Sequence, residues 1–162
     1  MAQGNSSFDQ ARFREVLGHF PTGVTIVTAM EADGPVGFTC QAFGALSLDP
    51  PLVFLAPAKS STSWPKIAAA GSFCVNILDS RQEAICRSFA VSGDETFEGV
   101  GWVPAASGAP VLEGCLAWVD CDIELIHDAG DHEIVIGRVR DLGVEEGTPL
   151  VYYRSGFGKF AI

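Results

Sequence analysis

Lys59-Ser60-Ser61-Thr62-Ser63 has the clearest capacity for chemistry, an ammonium followed by four hydroxyls at the start of a short helix. Such a loop can aim backbone N–H groups, hydroxyls and a cation at one anion, and the helix dipole favours negative charge there. Ser/Thr-rich loops before helices also serve simply as caps and turns, so spacing alone leaves both readings open. Upstream, Gly37, Thr39, Ala42, Gly44, Ala45 and Ser47 are small enough to leave a sheet surface on which a flat ring can lie. Phosphate at one end and a flat surface beside it suggest a flavin nucleotide. A second constellation is His127-Asp128-Ala129-Gly130-Asp131-His132. It is either a polar hairpin tip or it sets His132 as a donor at the rim of a pocket.

Other chemistries find no support. Gly99-Val100-Gly101 meets Pro104 where a dinucleotide fingerprint needs its third glycine, and P-loop, HExxH and GxSxG patterns are absent. His19, His127 and His132 lack partners at metal-ligand spacing, so no metal site is expected. Cys40 lies in the central stretch and reads as a buried, inert thiol. Ten basic residues against twenty acidic ones leave a net charge of −10, which opposes binding to nucleic acid or anionic membranes. Each cation near an anion site therefore carries weight, notably Lys59, Arg87, Arg154 and Lys159. The five cysteines are odd in number, lack CxxC spacing and lie mostly in apolar runs, as expected of a reduced cytoplasmic protein. Neither a signal peptide nor a membrane span is expected.

These residues need elements to hold them, and 162 residues suit one domain. Ser7 and Gln10 form a capping box for a helix to about His19, with Phe13, Val16, Leu17 and Phe20 as its apolar stripe. Val24–Met30 and Val36–Thr39 read as a hairpin around Asp33-Gly34. Ala42–Leu48 and Leu52–Ala56 are strands divided by Asp49-Pro50-Pro51. Ser63 is the expected N-cap of a helix over Lys66–Ala70 that stops at Gly71. Phe73–Leu78 is a strand, and Ser80 with Glu83 forms a second capping box for a helix to about Ala90. Val91 to Cys115 is irregular but carries Phe97, Val100 and Trp102, as a lid or a subunit contact would. Leu116–His127 alternates, which puts Asp120, Asp122 and Glu124 on a solvated face. It turns over Asp128–Asp131 and returns as His132–Leu142. Leu150–Arg154 and the glycine-punctuated Ser155–Lys159 close the chain. Six or seven short strands with few helices favour a closed antiparallel barrel.

Several runs occur in this order in a known family: Phe20-Pro21-Thr22-Gly23-Val24, Gly37-Phe38-Thr39, Ser47-Leu48-Asp49-Pro50-Pro51-Leu52, Lys59-Ser60-Ser61-Thr62, Phe73-Cys74-Val75-Asn76, Gly108-Ala109-Pro110-Val111-Leu112 and Gly130-Asp131-His132. From about Phe13 to Gly158 the chain resembles the flavin reductases of the flavin-binding split-barrel fold, the small components of two-component flavin-dependent monooxygenases. It is most similar to those serving bacterial hydroxylases of phenolic and steroid-derived phenolic compounds.

The resemblance implies a mainly β domain, a six-stranded antiparallel Greek-key split barrel with a few peripheral helices. It implies a homodimer with flavin at the edge between subunits, and a separate oxygenase that receives reduced flavin. Gly37, Phe38, Thr39, Cys40 and Gln41, with Ala42, Phe43, Ala45 and Ser47, would contact the ring and ribityl chain. Lys59, Ser60, Ser61 and Thr62 would hold the phosphate, and Trp64, Arg87 and Phe89 complete the cofactor set. Gly130, Asp131 and His132 would meet the nicotinamide nucleotide, with Tyr152, Tyr153, Arg154 and Ser155 near the same pocket. Many relatives carry Ser or Thr where Ala42 stands, which leaves a ring hydrogen bond there to backbone. The implied reaction is hydride transfer from NADH, less readily NADPH, to FMN or FAD, with no protein acid or base required. A pyridoxamine-phosphate-oxidase-like enzyme and a non-enzymatic flavin carrier are the alternatives.

Overall fold

The computed structural model describes residues 9–91 and 96–161. In chain order its first elements are α1 (Gln10–Leu17), β1 (Thr22–Gly23), β2 (Thr25–Glu31), β3 (Gly34–Cys40), β4 (Phe43–Leu48), β5 (Pro51–Leu55) and α2 (Trp64–Ala70). There follow β6 (Ser72–Ile77), α3 (Glu83–Phe89), β7 (Trp102–Pro104), β8 (Pro110–Leu112), β9 (Ala117–Ala129), β10 (His132–Val144), β11 (Leu150–Tyr153) and β12 (Gly156–Lys159). The largest sheet is antiparallel, with strand order β3-β2-β6-β9-β10-β5-β4. Its two edge strands, β3 and β4, are consecutive in the chain with only Gln41 and Ala42 between them. The sheet must therefore curl until its edges meet at one corner. The result is a barrel split at Gln41-Ala42, where the Ala42 carbonyl accepts from Ala56 N at 2.9 Å.

β2 explains why the sheet curls around one core and carries another outside. Its run Thr25–Ala29 is buried on both faces. Val27 and Ala29 point into an inner cluster with Leu55, Ile67, Phe73, Val75 and Val135. Ile26 points outward to Leu78, Phe89, Leu112 and Leu150, as strand alternation requires. The mainly β antiparallel split barrel expected from the sequence is what forms, on a main sheet of seven strands. Two small sheets, β1-β11-β12 and β7-β8, add to it.

Local expectations need correction at several points. α1 is capped by Asp9, whose carboxylate accepts from Arg12 N at 2.7 Å; Ser7 lies outside the described residues. The α1 stripe does not reach the core: Phe13, Val16, Leu17 and Phe20 are all more than half exposed. No helix residue is buried, because α1 lies outside both clusters. At α2 Ser63 holds the N-cap position, as expected, but its side chain makes no capping bond; the Ser61 hydroxyl accepts from Trp64 N at 3.1 Å instead. Gly71 ends that helix at φ +78°, as expected. α3 starts at Glu83 with no Ser80 box, because Asp79 organises the turn. Asp79 N donates to Gln82 Oε1 at 2.9 Å, and Asp79 Oδ1 accepts from Arg81 N at 2.9 Å. The described part of the irregular segment folds as the β7–β8 hairpin, with Phe97, Val100 and Trp102 packed on the outer cluster. That hairpin also corrects the expected solvated acidic face of β9 at one residue, since Asp122 and Glu124 remain solvent-accessible but Asp120 does not. Asp120 is fully buried, because Ser107 covers it and donates from Oγ at 2.5 Å and from N at 2.9 Å. Asp122 and Glu124 face Arg140 and Arg138 across the β9–β10 pair.

Candidate functional site

A cavity of about 830 Å³ opens beside the split in the barrel, within the size range of small-molecule and cofactor sites. Phe38 to Ala42, at the end of β3 and the following corner, form one wall. Thr39 and Cys40 belong to a strand pinned on both sides. Thr39 Oγ1 donates to the Cys86 carbonyl at 2.7 Å, and Thr25 Oγ1 donates to the Cys40 carbonyl at 2.6 Å. Burial pushes the Cys40 thiol up to about 11, so it stays protonated and is no nucleophile at neutral pH. Ala56, joined to Ala42 by its N–H, continues the lining with Pro57 and Ala58 into Ser60, Ser61, Thr62 and Ser63. α3 and its C-cap contribute Cys86, Arg87, Phe89 and Ala90. His132, Tyr152, Ser155 and Phe157 complete the lining.

Charge sorts this cavity from the rest of the surface. Among the described residues no Asp or Glu lines it, although the chain carries twenty. Among the described residues its one permanently charged lining residue is Arg87. Arg87 lies 4.7 Å over the Phe157 ring and donates to Glu83 at 2.8 Å, which fixes the guanidinium at the rim. Four hydroxyls, a guanidinium, small walls and aromatic rings fit a flat ring with an anionic tail.

The structure brings Phe38, Thr39, Cys40, Gln41, Ala42, Ser60, Ser61, Thr62, Arg87, Phe89, His132, Tyr152 and Ser155 to this one cavity. The other candidates lie elsewhere. Lys59 turns to Asp128 on the β9–β10 hairpin and does not line the cavity. Gly37 packs under Phe89: a Cβ there would stand 3.0 Å from Phe89 Cε1. Phe43, Ala45 and Ser47 sit on β4 past the corner, outside the lining. Trp64 is buried and its indole donates to Glu133 at 2.6 Å. Gly130 supplies the hairpin turn at φ +68°, and Asp131 is exposed beside His132, at 2.7 Å. Tyr153 meets the His19 ring edge-on, and Arg154 N donates to the Gly18 carbonyl at 3.1 Å, so both tie the last hairpin to α1. His127 is not opposite His132; it faces Ile134, while His132 faces Ala129. Of the residues that sequence reasoning did not single out, Ala56-Pro57-Ala58 directly precede the hydroxyl loop, and Cys86 and Ala90 flank candidates on α3. Their signal was adjacency alone. No His, Cys, Asp and Glu group among the described residues could hold a metal ion.

Comparison with known proteins gives the family and the fold. The family model described as flavin reductase like domain matches residues 17–161. A flavin reductase of Pseudomonas putida is 49% identical over 96% of this chain and 93% of its own length. The reductase subunit HsaB of a flavin-dependent monooxygenase from Rhodococcus jostii is 46% identical over 93% of this chain and 78% of its own. Among solved structures, the NADH:FAD oxidoreductase SgcE6 of Streptomyces globisporus, in complex with NAD and FAD fragments, superposes with a TM-score of 0.90. It is 34% identical, covering 94% of this chain and 93% of that one.

Proposed function

The chain belongs to the flavin reductase like domain family, and from that membership we propose that it is an NAD(P)H-dependent flavin reductase supplying reduced FMN or FAD to a separate oxygenase. The observation that carries the reading is a cavity that gathers Arg87, the Ser60–Ser63 hydroxyls and His132 and that no Asp or Glu among the described residues lines. A flavin bound there supplies the hydride-accepting ring. The chain's own residues bind and orient. Ser60, Ser61, Thr62 and Arg87 take the anionic tail, and the Phe38–Ala42 strand end and corner give the ring a wall. His132 donates to the nicotinamide nucleotide from the opposite side. No side chain has to move a proton, in keeping with a protonated Cys40.

Arg87 is the one permanent cation among the described residues of the lining, and a chain with a net charge of −10 is poorly suited to a dedicated 2′-phosphate pocket, so NADH is the expected donor. An open site with few anchors suits a flavin that must leave. We read the partner as an oxygenase of aromatic, phenolic compounds, following the sequence resemblance. We also read the protein as a cytoplasmic homodimer. The exposed Phe13, Val16, Leu17 and Phe20 stripe suits cover by a second copy, and the described free, buried thiols suit a reducing compartment. NADH oxidation should require added FMN or FAD and no oxygenase substrate. Flavin that binds but is reduced by neither nicotinamide would make the protein a carrier instead.

A further inference from the structure

We propose that Glu133 is a positioning residue for the nicotinamide side of the reaction, holding His132 at the cavity through the buried indole of Trp64. The inference rests on the reading of His132 given above, and it concerns a residue outside the cavity. Successive strand residues point to opposite faces, so at the start of β10 His132 presents to the cavity while Glu133 presents away from it. On that far side Trp64 Nε1 donates to Glu133 Oε2 at 2.6 Å. Trp64 is 3% exposed and part of the inner core cluster, so the donor cannot follow a moving hairpin. The backbone adds a short run of pairing along the same line. Glu133 N donates to the Pro57 carbonyl at 3.0 Å, Lys59 N donates to the Asp131 carbonyl at 2.9 Å, and Ala58 bridges to His132. The loop that carries the cavity hydroxyls and the hairpin that carries His132 are thus stapled together. Trp64 is the one side chain in that staple that is anchored in the core.

Lys59 and Asp128 form a second link between the same two segments, but both are substantially exposed, 41% and 82% for their side chains. Screening makes that link the weaker one. The Trp64–Glu133 bond is short, charge-assisted and half-shielded, and it holds the residue next to His132.

The test compares Glu133→Ala, Glu133→Gln, His132→Ala and the double variant Glu133→Ala/His132→Ala as full-length protein. Measurements are steady-state NADH kinetics, flavin titration and thermal melts. Glu133→Ala should raise KM for NADH about fivefold with flavin Kd within about twofold of wild type. Glu133→Gln keeps an acceptor for the indole and should restore most of that loss. The double variant should be no worse than His132→Ala alone, because Glu133 acts through His132. An unchanged KM in Glu133→Ala beside a raised one in His132→Ala would overturn this inference and leave the reading of His132 standing. Unchanged KM in His132→Ala would bring down both. Parallel losses of flavin affinity and melting temperature in Glu133→Ala and Glu133→Gln alike would reduce Glu133 to a structural residue.

Discussion

The Thr39 hydroxyl donates to the Cys86 carbonyl at 2.7 Å and so joins a cavity strand to the helix that carries Arg87 and Phe89. Gly37, two residues earlier on β3, lets Phe89 lie against the sheet, since any Cβ there would crowd its ring. The place of Arg87 at the cavity rim is thus set by β3, fifty residues away in the chain.

Arg87, not Lys59, should discriminate flavins by charge. Arg87→Ala should weaken FMN about tenfold, roughly 1.5 kcal/mol at the low end for a charged hydrogen bond, and leave riboflavin little changed. The low end applies because the guanidinium is largely exposed and shared with Glu83. Lys59→Ala should alter FMN affinity less than about threefold, since its ammonium is paired with Asp128. Flavin fluorescence titrations of both variants with both ligands check this. A larger FMN-specific loss in Lys59→Ala would return the phosphate to Lys59.

Cys40 should resist alkylation. Desolvation holds its pKa at about 11, against backbone hydrogen bonds that lower it. The thiolate is the nucleophile, so iodoacetamide labelling of the folded protein should be slow at pH 8 and speed up only as pH approaches 11. Peptide mass spectrometry reads this site by site. Rapid labelling of Cys40 at pH 7 would show an accessible, ionised thiol.

Asn76 should be the costliest polar residue to replace. Its amide nitrogen donates to the Ile26 carbonyl at 3.1 Å and reaches the Pro110 carbonyl at 3.3 Å, and its oxygen accepts from Leu112 N at 2.8 Å. It is fully buried and ties the β7–β8 hairpin to the barrel. Asn76→Leu strands several of those groups at once and should cost about 3 kcal/mol or more. Urea unfolding measures it, and a loss under about 1 kcal/mol would show that the hairpin holds without this hub.

Asp79 should give the fold part of its acid sensitivity. The Arg81 guanidinium, then the Arg81 backbone N–H, holds its carboxyl below the usual carboxylate range despite burial. A lowered folded value means the stabilisation is complete above the unfolded value of about 3.9 and is lost as pH falls through the folded one. The advantage of wild type over Asp79→Asn in thermal melts should be full at pH 7 and shrink below about pH 4. An advantage that is constant from pH 7 to pH 3 would remove Asp79 from the account.

What the sequence determined is local. The Ala32-Asp33-Gly34 turn, the Gly71 helix stop and the β-branched run of β2 follow from backbone freedom and side-chain period, which depend on near neighbours. The hydroxyls of the Ser60–Ser63 loop were legible for the same reason, since chemistry packed into consecutive residues stays together in any fold. Tertiary structure decided which way long side chains point and which faces are covered. Lys59 sits in the predicted loop yet reaches for Asp128, a partner it meets only through the β5–β10 and β9–β10 pairings. Asp120 keeps its place in an alternating strand, but Ser107 covers it from a hairpin whose folding no local period announces. α1 shows the converse, an apolar stripe of sound helical spacing that stands outside both core clusters. Thr39, Arg87, His132 and Tyr152 share one cavity because non-local strand pairing and packing bring the corner, helix and hairpins together, and neither is written in the spacing of neighbouring residues.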